Sequence, residues 1–586
     1  MIKNYIFEQT KNTITTLAKT GKLGAMTGDE SFDVVVGIPK NTEFGDYAVN
    51  VASLARFSKM APPQIAAVIA ENIAVEGFSI NVIGGFINFK LGKTPLNTII
   101  KDVLTKKHDF AKNNLGEGKK VILEYVSANP TGPFHIGHGR WAAMGSALAN
   151  VLKHSGYDVF QEFYINDAGG QIKNLGRSLH IRVLQEMGVD VDFPQDEIER
   201  KKFYAGEYLI PCAKKFVEQN SDYAKKLTKD LKEDELVFLS DFAKAEMLEL
   251  QKDLLKTFRT NFDNFYSETS LHKSGEVEAC VKMLKDKNML YEKEDAIWFK
   301  SAQFGDDQDR VIKKSDGTNT YLTADIAYHY DKLKRGFDLL VNIWGADHHG
   351  YIPRIKASIE ALDHNPDSLK VLLGQLVNLI INGEQTRMGK RKNMITLHDL
   401  VDEVGVDATR FWMIMRSIDT ALDFDVELAQ SKSDDNPVFY VQYAHARACS
   451  ILRNATNPRI DTETKTELAP IFDEKELTKS FETPTVESFD ILWEQDEKSI
   501  QAARKLILKI EEFKAIVLNA AKNFAPYLLC NYSLELAGAF HQFYSVSRVL
   551  CDDKKLSAAR LALVKSTAQI LNSTLELLGV SAPERM

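Results

Sequence analysis

A strand, a tight turn and a helix follow one another near residue 130, and this order restricts the fold more than any other feature. The run Val121-Ile-Leu-Glu-Tyr-Val126 is nearly all apolar and has the length of a buried strand. A turn rich in glycine and proline comes next, and Arg140 to His154 then has helical spacing with small residues on one face. Doubly wound parallel sheets begin in this way. We therefore predict a multidomain α/β + α protein whose central domain has a Rossmann-type parallel sheet.

The length of the chain predicts further domains around that sheet. With 586 residues it is too long for one core, and a prior of roughly 150 residues per domain suggests three or four. Residues 1–110 are expected to form a small α+β domain, in which Pro63 to Ile73 has helical periodicity and Gly85 to Leu91 alternates like a strand. The charged segment Lys101 to Lys120 is expected to be a linker.

The central domain is predicted to span residues 111–436. Residues 170–300 are rich in Lys, Glu and Leu, which indicates a helical insertion that interrupts the sheet. Arg310 to Lys314 and Thr318 to Leu322 flank a Ser-Asp-Gly turn and predict a hairpin. Leu339 to Trp344 predicts another buried strand.

The last part of the chain, residues 437–586, is predicted to contain helices only, because its apolar residues recur at helical spacing. Asn457 to Glu487 is a polar connection between them. The aromatic run Phe540-His-Gln-Phe-Tyr544 could stack RNA bases or could be a stripe of the core, and the core is favoured.

The composition is that of an ordinary folded protein, with 44% hydrophobic and 26% charged residues. The net charge of -8 argues mildly against a nucleic-acid partner, so any RNA contact must come from local basic patches. The five cysteines are scattered and form no C-x-x-C pair, so neither a zinc site nor a disulfide framework is supported. No signal peptide and no run near the roughly 18 apolar residues of a membrane span is found. A cytoplasmic location without membrane contact is therefore expected.

A candidate phosphate site follows the first strand. The segment Ser127-Ala-Asn-Pro-Thr-Gly-Pro-Phe-His135-Ile-Gly137-His138-Gly-Arg140 turns on its prolines and glycines before a helix begins. Helix N-termini offer free N–H groups and a positive dipole end, and Gly137 allows close approach to the backbone. His135 and His138 share one helical turn and can both donate to phosphate oxygens. The alternative is a structural turn with two incidental histidines, and the Gly/Pro context after an apolar strand favours the phosphate site.

Two further clusters are candidates for ligand contacts. Arg387-Met-Gly-Lys390-Arg-Lys392-Asn could close over a polyphosphate and stabilise its charge, although such a stretch read alone is more often a solvated loop. Trp344-Gly345-Ala-Asp347-His348-His349 follows a strand, at the edge where doubly wound sheets bind ligands, and Asp347 could accept from ribose hydroxyls. A metal site made of Asp347 and the two histidines is the less favoured alternative, because adjacent residues on a strand edge point apart.

Together these clusters resemble the motifs of class I aminoacyl-tRNA synthetases. His135-Ile-Gly-His138 matches the first motif at all four positions, Arg387-Met-Gly-Lys390-Arg391 resembles Lys-Met-Ser-Lys-Ser, and Gly345-Ala-Asp347 resembles the ribose-binding Gly-x-Asp. A longer resemblance, to the bacterial arginyl-tRNA synthetase family, covers essentially the whole chain. The segments that carry it are Gly45 to Asn50, Ser127 to Arg140, Thr323 to Tyr328, Gly345 to Arg354 and Ala582 to Met586.

The resemblance implies an ATP-dependent ligase. Such an enzyme converts L-arginine and ATP to arginyl-adenylate with release of pyrophosphate, then passes arginine to the 3′ end of tRNA-Arg. Mg²⁺ would accompany ATP, and the family generally needs bound tRNA to form the adenylate. The resemblance further implies an N-terminal domain that contacts the tRNA core and a C-terminal anticodon-binding bundle. It also implies a monomer with no zinc, no redox cofactor and no DNA partner.

The resemblance also assigns roles to individual residues. The expected catalytic residues are His135, His138 and Lys390. The expected ATP-binding residues are Gly137, Gly345, Asp347 and Met388, and the first motif spans Ala128 to His138. The expected arginine-binding residues are Glu124, Ser127, Asn129, Tyr321 and Asp325. Phe86 and Asn88 are expected to contact the D-loop of the tRNA.

Glu124 is unusual on physical grounds as well. It lies within an otherwise apolar strand, where a buried carboxylate is costly unless it is paired. A guanidinium is a planar fork of donors and calls for carboxylates placed for bidentate hydrogen bonds. The alternative is that Glu124 faces solvent at the end of the strand.

The chain departs from the family pattern in its second motif and near Gly345. Gly389 replaces the usual serine, the segment after Arg391 is one residue short, and no glutamine stands at Gly345 or Ala346. Two rival functions remain open at this point. One is another nucleotidyltransferase with the same first motif, which the C-terminal helices disfavour. The other is a non-catalytic tRNA-binding protein, which the intact His135, His138 and Lys390 disfavour.

Overall fold

The central sheet of the protein is parallel and five-stranded, as the strand-turn-helix pattern predicts. The computed structural model describes residues 2–39, 41–386, 396–460 and 467–586. Five strands form the sheet in the order β12-β11-β5-β6-β7, and all neighbouring pairs are parallel. The strands of this sheet are β5 (Lys120–Glu124), β6 (Asp158–Ile165), β7 (Asn264–Ser267), β11 (Leu339–Gly345) and β12 (Leu369–Gly374).

Helices cover both faces of this sheet, so its two sets of side chains enter different cores. Val121 and Leu123 belong to a large apolar core that also contains the helix α5 (Ile136–His154). Ile122 points to the other face, into a second core with α13 (Tyr321–Lys334). This alternation along β5 is that of a strand buried on both faces.

The other elements of the central region are helices and two separate three-stranded sheets. The helices are α6 (Gly170–Glu186), α7 (Glu197–Arg200), α8 (Leu209–Gln219), α9 (Ser221–Ala224), α10 (Glu233–Thr257), α11 (Glu268–Lys273), α12 (Glu276–Asp286), α14 (Ile352–Ala361), α15 (Leu397–Val404), α16 (Val406–Ile414) and α17 (Val426–Gln430). The short strands are β8 (Leu290–Lys293), β9 (Ala296–Phe299), β10 (Arg310–Lys313), β13 (Val377–Ile381), β14 (Glu384–Thr386) and β15 (Leu422–Asp425).

Two sequence predictions for this region are wrong. The helical insertion does not extend to residue 300, because the chain returns to the central sheet at β7 and then forms the antiparallel pair β8–β9. Thr318 to Leu322 is not the second strand of a hairpin, because α13 begins at Tyr321. Thr318 to Thr320 do turn back on β10: Asn319 bridges to Lys313, the Lys314 N–H donates to the Thr318 carbonyl oxygen over 2.8 Å, and the Thr320 N–H donates to the Ile312 carbonyl oxygen over 2.9 Å. Thr and Tyr favour strands locally, but here the apolar face of a helix packs on the sheet.

The N-terminal region is a four-stranded antiparallel sheet covered by helices. Its elements are α1 (Ile2–Lys19), β1 (Val36–Gly37), β2 (Tyr47–Asn50), α2 (Ala55–Ser58), α3 (Pro62–Asn72), β3 (Phe78–Ile83), β4 (Phe86–Leu91) and α4 (Lys93–Lys106). The predicted linker Lys101 to Lys120 is instead largely structured. Val103, Leu104 and Phe110 are buried, because their apolar side chains pack into the shared core.

The C-terminal region is a helical bundle, as predicted. Its helices are α18 (Pro437–Thr456), α19 (Glu474–Glu482), α20 (Glu497–Lys522), α21 (Tyr527–Val546) and α22 (Lys554–Leu578). Two predictions for this region need correction. The polar connection contains a helix, α19, and the region does not consist of helices alone, because β16 (Arg459–Ile460) pairs with β17 (Glu467–Leu468). None of the described helices is both long and apolar enough to cross a membrane.

Polar contacts join the N-terminal region to the bundle. The Arg504 guanidinium on α20 donates to the Asp46 carboxylate and, over 2.8 Å, to the Leu91 carbonyl oxygen. Asn97 on α4 donates to Asp490 over 2.8 Å and accepts from the Trp493 indole over 2.8 Å. These paired groups lie beside one continuous apolar core that runs through all three regions.

Arg410 joins the central region to the end of the bundle. Its fully buried guanidinium donates to the carbonyl oxygens of Phe258 over 2.7 Å and Leu578 over 2.9 Å, and to the Ser146 hydroxyl over 2.8 Å. Burial lowers the pKa of Arg410 to about 10. The next residue after Leu578 is Gly579, whose φ of 68° is left-handed and which lies directly against this guanidinium.

We predict that Gly579→Ala destabilises the protein through Arg410. An added Cβ would lie 2.8 Å from Arg410 Cζ, so the buried guanidinium would have to move. Gly188 is a matched control, because it ends α6 with the same pair of backbone hydrogen bonds, has a φ of 79°, and its Cβ would meet nothing within 4 Å. Denaturant unfolding should show a loss about 2 kcal/mol larger for Gly579→Ala than for Gly188→Ala. Equal losses would mean that only backbone strain matters.

Candidate active site

The turn after β5 is strained and places Ser127 between two strands. Val126 and Ser127 have left-handed φ values of 67° and 42°, which non-glycine residues, and β-branched ones above all, rarely adopt. The Ser127 hydroxyl donates to Glu124 Oε1 over 3.1 Å and accepts from the Tyr164 N–H over 3.1 Å. These bonds help to hold a backbone conformation that is costly in isolation, as is common at functional sites.

The helical insertion holds the rest of this turn. The buried Gln251 on α10 donates to the carbonyl oxygens of Asn129 over 3.0 Å and Gly132 over 2.8 Å. The Tyr208 hydroxyl donates to the Thr131 carbonyl oxygen over 2.9 Å, and the Asn129 amide donates to Gln171 Oε1 over 2.8 Å. The sequence did not indicate Gln251 or Tyr208, because a long-range contact to a backbone carbonyl leaves no local pattern.

His135 and His138 lie together at the N-terminus of α5. Their rings stack with centroids 3.6 Å apart. His138 Nδ1 accepts from the His135 N–H over 3.3 Å, which leaves Nε2 as the nitrogen that carries the proton. Burial lowers the pKa of His135, and burial together with His135 lowers the pKa of His138 well below its ordinary value. Both rings are therefore neutral donors near pH 7, at the positive end of a helix dipole.

Trp141 forms a platform beside these histidines that the sequence did not reveal. Its ring meets His138 edge-on, with centroids 5.4 Å apart. It also covers two glycines at the carboxyl ends of neighbouring strands: a Cβ on Gly374 would lie 2.8 Å from Trp141 Cδ1, and one on Gly345 would lie 3.7 Å from Cζ2. The first and third clusters of the sequence are thus in contact through one indole.

The chain that follows the second cluster contacts the first cluster. Met388, Gly389 and Lys390 lie outside the described residues, so their predicted roles are not placed. The chain is described again from Thr396, which forms a β-bridge with His135. The Leu397 N–H donates to the Phe134 carbonyl oxygen over 2.9 Å.

The third cluster lies where the sequence predicts, at the carboxyl end of β11. Gly345 ends the strand, and Asp347 follows in the 3₁₀ helix Ala346–Tyr351 with a largely exposed carboxylate. His348 Nε2 lies 3.8 Å from Asp347 Oδ2. Within the described ranges, no three His, Cys, Asp or Glu side chains are grouped as metal ligands. Asp347 is therefore placed to accept hydrogen bonds from a ligand at the edge of the sheet.

A row of four polar residues crosses the middle of the parallel sheet. Asn342, Glu124, Glu162 and Asn264 are register partners on β11, β5, β6 and β7, and they face the side covered by α13. Glu124 and Glu162 are both buried, so the alternative that Glu124 faces solvent is wrong. The prediction that a buried Glu124 must be paired agrees with its ion pair with Lys332, at 2.5 Å.

The second carboxylate of the row has its own cation. Arg335 donates to Glu162 with both terminal nitrogens, over 2.7 and 2.8 Å, and the Tyr328 hydroxyl donates to it over 2.7 Å. Burial raises the pKa of Glu162, but the hydrogen bond with Arg335 and the charge of Lys332 outweigh this and hold the pKa below its ordinary value. Glu162 is thus ionised although it is completely buried.

Asp325 is a carboxylate of the site whose surroundings disfavour its ionised form. It lies on α13, and burial and the negative charges of Glu124 and Glu268 raise its pKa to about 7. Glu268, at the start of α11, is itself buried, and its pKa is raised by that burial. Tyr321 lies one helical turn before Asp325 with its side chain 78% exposed. The structure thus brings Glu124, Asp325 and Glu268 together, and the sequence did not indicate Glu268.

The residues predicted to contact RNA differ in their exposure to solvent. Phe86 is 46% exposed on β4, whereas Asn88 is 2% exposed and its amide donates to the Asn81 carbonyl oxygen over 3.4 Å. A direct RNA contact of Asn88 is therefore not supported. In the aromatic run of α21, Phe540 and Phe543 are core residues, as favoured, but Tyr544 is exposed and the Arg447 guanidinium lies 5.0 Å from its ring centre.

Three family sequence models match successive parts of the chain. They are "Arginyl tRNA synthetase N terminal domain" over residues 9–91, "tRNA synthetases class I (R), catalytic domain" over 99–418, and "DALR anticodon binding domain" over 441–586. Among full-length relatives, an arginine–tRNA ligase of Shouchella clausii is 45% identical, with 96% of each chain covered. One of Bacillus subtilis is 42% identical and covers 99% of this chain and 100% of its own.

Solved structures show the same architecture. A crystal structure assigned to an arginyl-tRNA synthetase of Campylobacter jejuni is 34% identical, with a TM-score of 0.72 over 85% of this chain and 100% of its own. The Thermus thermophilus arginyl-tRNA synthetase has a TM-score of 0.73 over 100% of both chains at 20% identity, which supports the fold alone. The predicted fold class is confirmed.

We predict that Asp325→Asn stabilises the ligand-free protein, and more so at high pH. Because the pKa of Asp325 rises from 3.8 to about 7 on folding, ionisation opposes folding above pH 3.8, and this cost grows up to pH 7. Thermal and denaturant unfolding should show a stabilisation about 1–2 kcal/mol larger at pH 8 than at pH 5. A stabilisation independent of pH would contradict the raised pKa.

Proposed function

The chain belongs to the arginyl-tRNA synthetase family, and on this premise we propose which of its residues perform the reaction. As a ligase of this family it uses ATP to join L-arginine to tRNA. The carboxylates Glu124 and Glu268 are close enough to Asp325 to raise its pKa, and Glu124 ends β5, the strand that precedes the turn to His135 and His138; this arrangement carries the proposal. The full-length relatives exclude an unrelated nucleotidyltransferase, and the mild argument from net charge against RNA was misleading.

The arginine side chain would bind at Asp325. A guanidinium offers a planar fork of donors, and a carboxylate is its best acceptor when it is shielded from water. Glu124 and Glu268 add negative charge around Asp325, and Tyr321 stands one helical turn before Asp325 on α13. Ser127 and Asn129 line the turn next to Glu124 and would contact the main-chain end of the substrate. Lysine and citrulline should be rejected, because each leaves buried acceptors unpaired.

ATP would lie along the first and third clusters. The Nε2–H group of His138 and the ring of His135 would donate to phosphate oxygens at the helix N-terminus. Asp347 would accept from ribose hydroxyls, and Gly137 and Gly345 would allow the ligand close to the backbone. Met388 and Lys390 are proposed for the ATP site from their motif alone. Mg²⁺ would enter with the phosphates, which supply most of its ligands.

The reaction proceeds in two transfers. A carboxylate oxygen of arginine attacks the α-phosphorus of ATP, the bond to the β-phosphate oxygen breaks, and pyrophosphate leaves with the electron pair. A hydroxyl of the 3′-terminal ribose of tRNA-Arg then attacks the carbonyl carbon, and AMP leaves. Neutral histidines can stabilise the growing phosphate charge without transferring a proton. Holding the two reactants in line supplies much of the rate.

The remaining regions would bind tRNA. We propose residues 1–110, 111–436 and 437–586 as the tRNA-core, catalytic and anticodon-binding domains. Phe86 is an exposed aromatic ring in the first, and Tyr544 with Arg447 forms an aromatic and cationic surface in the third, which suits stacking on single-stranded bases. A monomer in the cytoplasm is proposed on the family resemblance.

The proposal predicts pyrophosphate exchange with a strict dependence on substrates. We expect exchange of labelled pyrophosphate into ATP only when arginine and tRNA-Arg are both present. Each standard amino acid, with and without tRNA, should be compared at equal protein concentration. Exchange with another amino acid would refute the specificity, and no exchange from folded protein would favour the non-catalytic, tRNA-binding alternative.

We also predict that His138→Ala slows adenylate formation by about 2–4 kcal/mol of transition-state stabilisation, because a phosphate donor is lost. His138→Gln is the matched variant, since it retains an N–H donor near the position of Nε2, and it should lose less. Single-turnover exchange gives the rate, and filter binding gives the tRNA affinity, which should be little changed. A parallel loss of tRNA affinity would indicate a structural role for His138.

A further inference from the structure

Lys332 is a fully buried lysine beside the arginine pocket that no motif points to. Its Nζ donates to Glu124 Oε2 over 2.5 Å and to Asn342 Oδ1 over 3.0 Å, and it lies 4.3 Å from the centre of the Tyr328 ring. Its side chain is 0% exposed and that of Glu124 is 8% exposed. Both charges of this pair have therefore lost their water.

A buried ion pair of this kind contributes little net stability to a fold. Removing two charges from water costs about as much as their attraction returns, so apolar residues of the same volume would do as well. Here the cost is greater, because Glu124 stands beside a second buried carboxylate, Glu162, at the same level of the sheet. Retention of Glu124 and Lys332 at this place calls for another reason.

The groups that face Glu124 come from every element around it. They are Lys332, Asp325 and Tyr328 on α13, Glu162 on β6 with its partner Arg335, Asn342 on β11, Ser127 in the strained turn and Glu268 on α11. In the described part of the chain, Glu124 and Glu162 each have a cation within 4.0 Å, and no such ion pair includes Asp325. We therefore expect the guanidinium of the substrate to be the cation that pairs with Asp325.

We propose that Lys332 is a positioning residue that holds the Glu124 carboxylate in place before arginine binds. This inference rests on the proposed arginine pocket. Lys332 holds Oε2 and Ser127 holds Oε1, so the carboxylate has one orientation. Without Lys332, Oε2 loses its buried partner and the carboxylate is free to rotate. A guanidinium needs acceptors at fixed positions for its planar fork of donors.

The network also runs from Lys332 back to an earlier turn of the same helix, at the backbone of Asp325. Asn342 accepts from Lys332 and its amide donates to His329 Nε2 over 2.8 Å, so His329 Nδ1 donates to the Asp325 carbonyl oxygen over 2.7 Å. Burial and the charge of Lys332 lower the pKa of His329 to about 3, which keeps this ring neutral. Lys332 thereby contacts both sides of the pocket, directly at Glu124 and indirectly at the backbone of Asp325.

The test is the arginine dependence of tRNA charging in the full-length chain. Lys332→Met keeps the shape and removes the charge, and it should raise KM for arginine by about tenfold or more at pH 7, as expected when a buried charge pair loses one partner. kcat at saturating arginine and KM for ATP should change little. Lys332→Arg should restore most of the affinity.

Two controls separate positioning from folding. Lys334→Met removes a lysine on the exposed face of the same helix, paired with Glu276 at 2.9 Å, and should leave every constant unchanged. If Lys332→Met does not fold, Lys332→Met with Glu124→Gln removes both charges and should restore folding. KM for arginine should stay high in this double variant.

Three results would overturn the inference. One is a lower kcat or melting temperature of Lys332→Met with an unchanged KM for arginine. Another is a KM for arginine that is as high in Lys332→Arg as in Lys332→Met. The third is a normal KM in the double variant. Failure of the unaltered chain to charge tRNA with arginine would instead overturn the proposed function, so the two failures are distinguishable.

Discussion

The pairing of two buried carboxylates with two cations of one helix is the interaction on which the site depends. Glu124 and Glu162 are neighbours on β5 and β6, and α13 provides Lys332 to one and Arg335 to the other. These ion pairs fix α13 against the sheet, because neither carboxylate can be buried without its partner. The same helix then carries Asp325 to the edge of the sheet. A fixed helix with one unpaired acid is a scaffold for a cationic ligand.

The proposed nucleotide side of the site depends on a different constraint, the strained turn after β5. Left-handed Val126 and Ser127 redirect the chain sharply, so that the stacked histidines begin a helix on the opposite face of the sheet from α13. The insertion holds this turn with the amide of Gln251. The insertion is therefore part of the catalytic scaffold, and a change within it can act on the first motif without touching a ligand.

The sequence predicted those parts of the structure that depend on local pattern. The strand from Val121 and the helix that contains His154 were predicted because an apolar run, a Gly/Pro-rich turn and helical spacing follow one another there. Glu124 was singled out because a carboxylate in such a strand needs a partner. Thr318 to Leu322 was misjudged because its β-propensity gave way to packing of a helix on the sheet. Lys332, Glu268, Gln251 and Trp141 could not be predicted, since each acts on a residue far away in the chain.

The contact of Arg410 with the end of the last helix has a consequence for how the protein is made. The guanidinium belongs to the central region, but its acceptor, the Leu578 carbonyl oxygen, lies 168 residues further along the chain. During synthesis from the N-terminus, this buried cation has no such acceptor until nearly the whole bundle has left the ribosome. A truncated product would keep the Phe258 and Ser146 acceptors but would lack the Leu578 carbonyl oxygen, so the guanidinium would be exposed at the junction. The central region thus reaches its final packing only when the C-terminal bundle is complete.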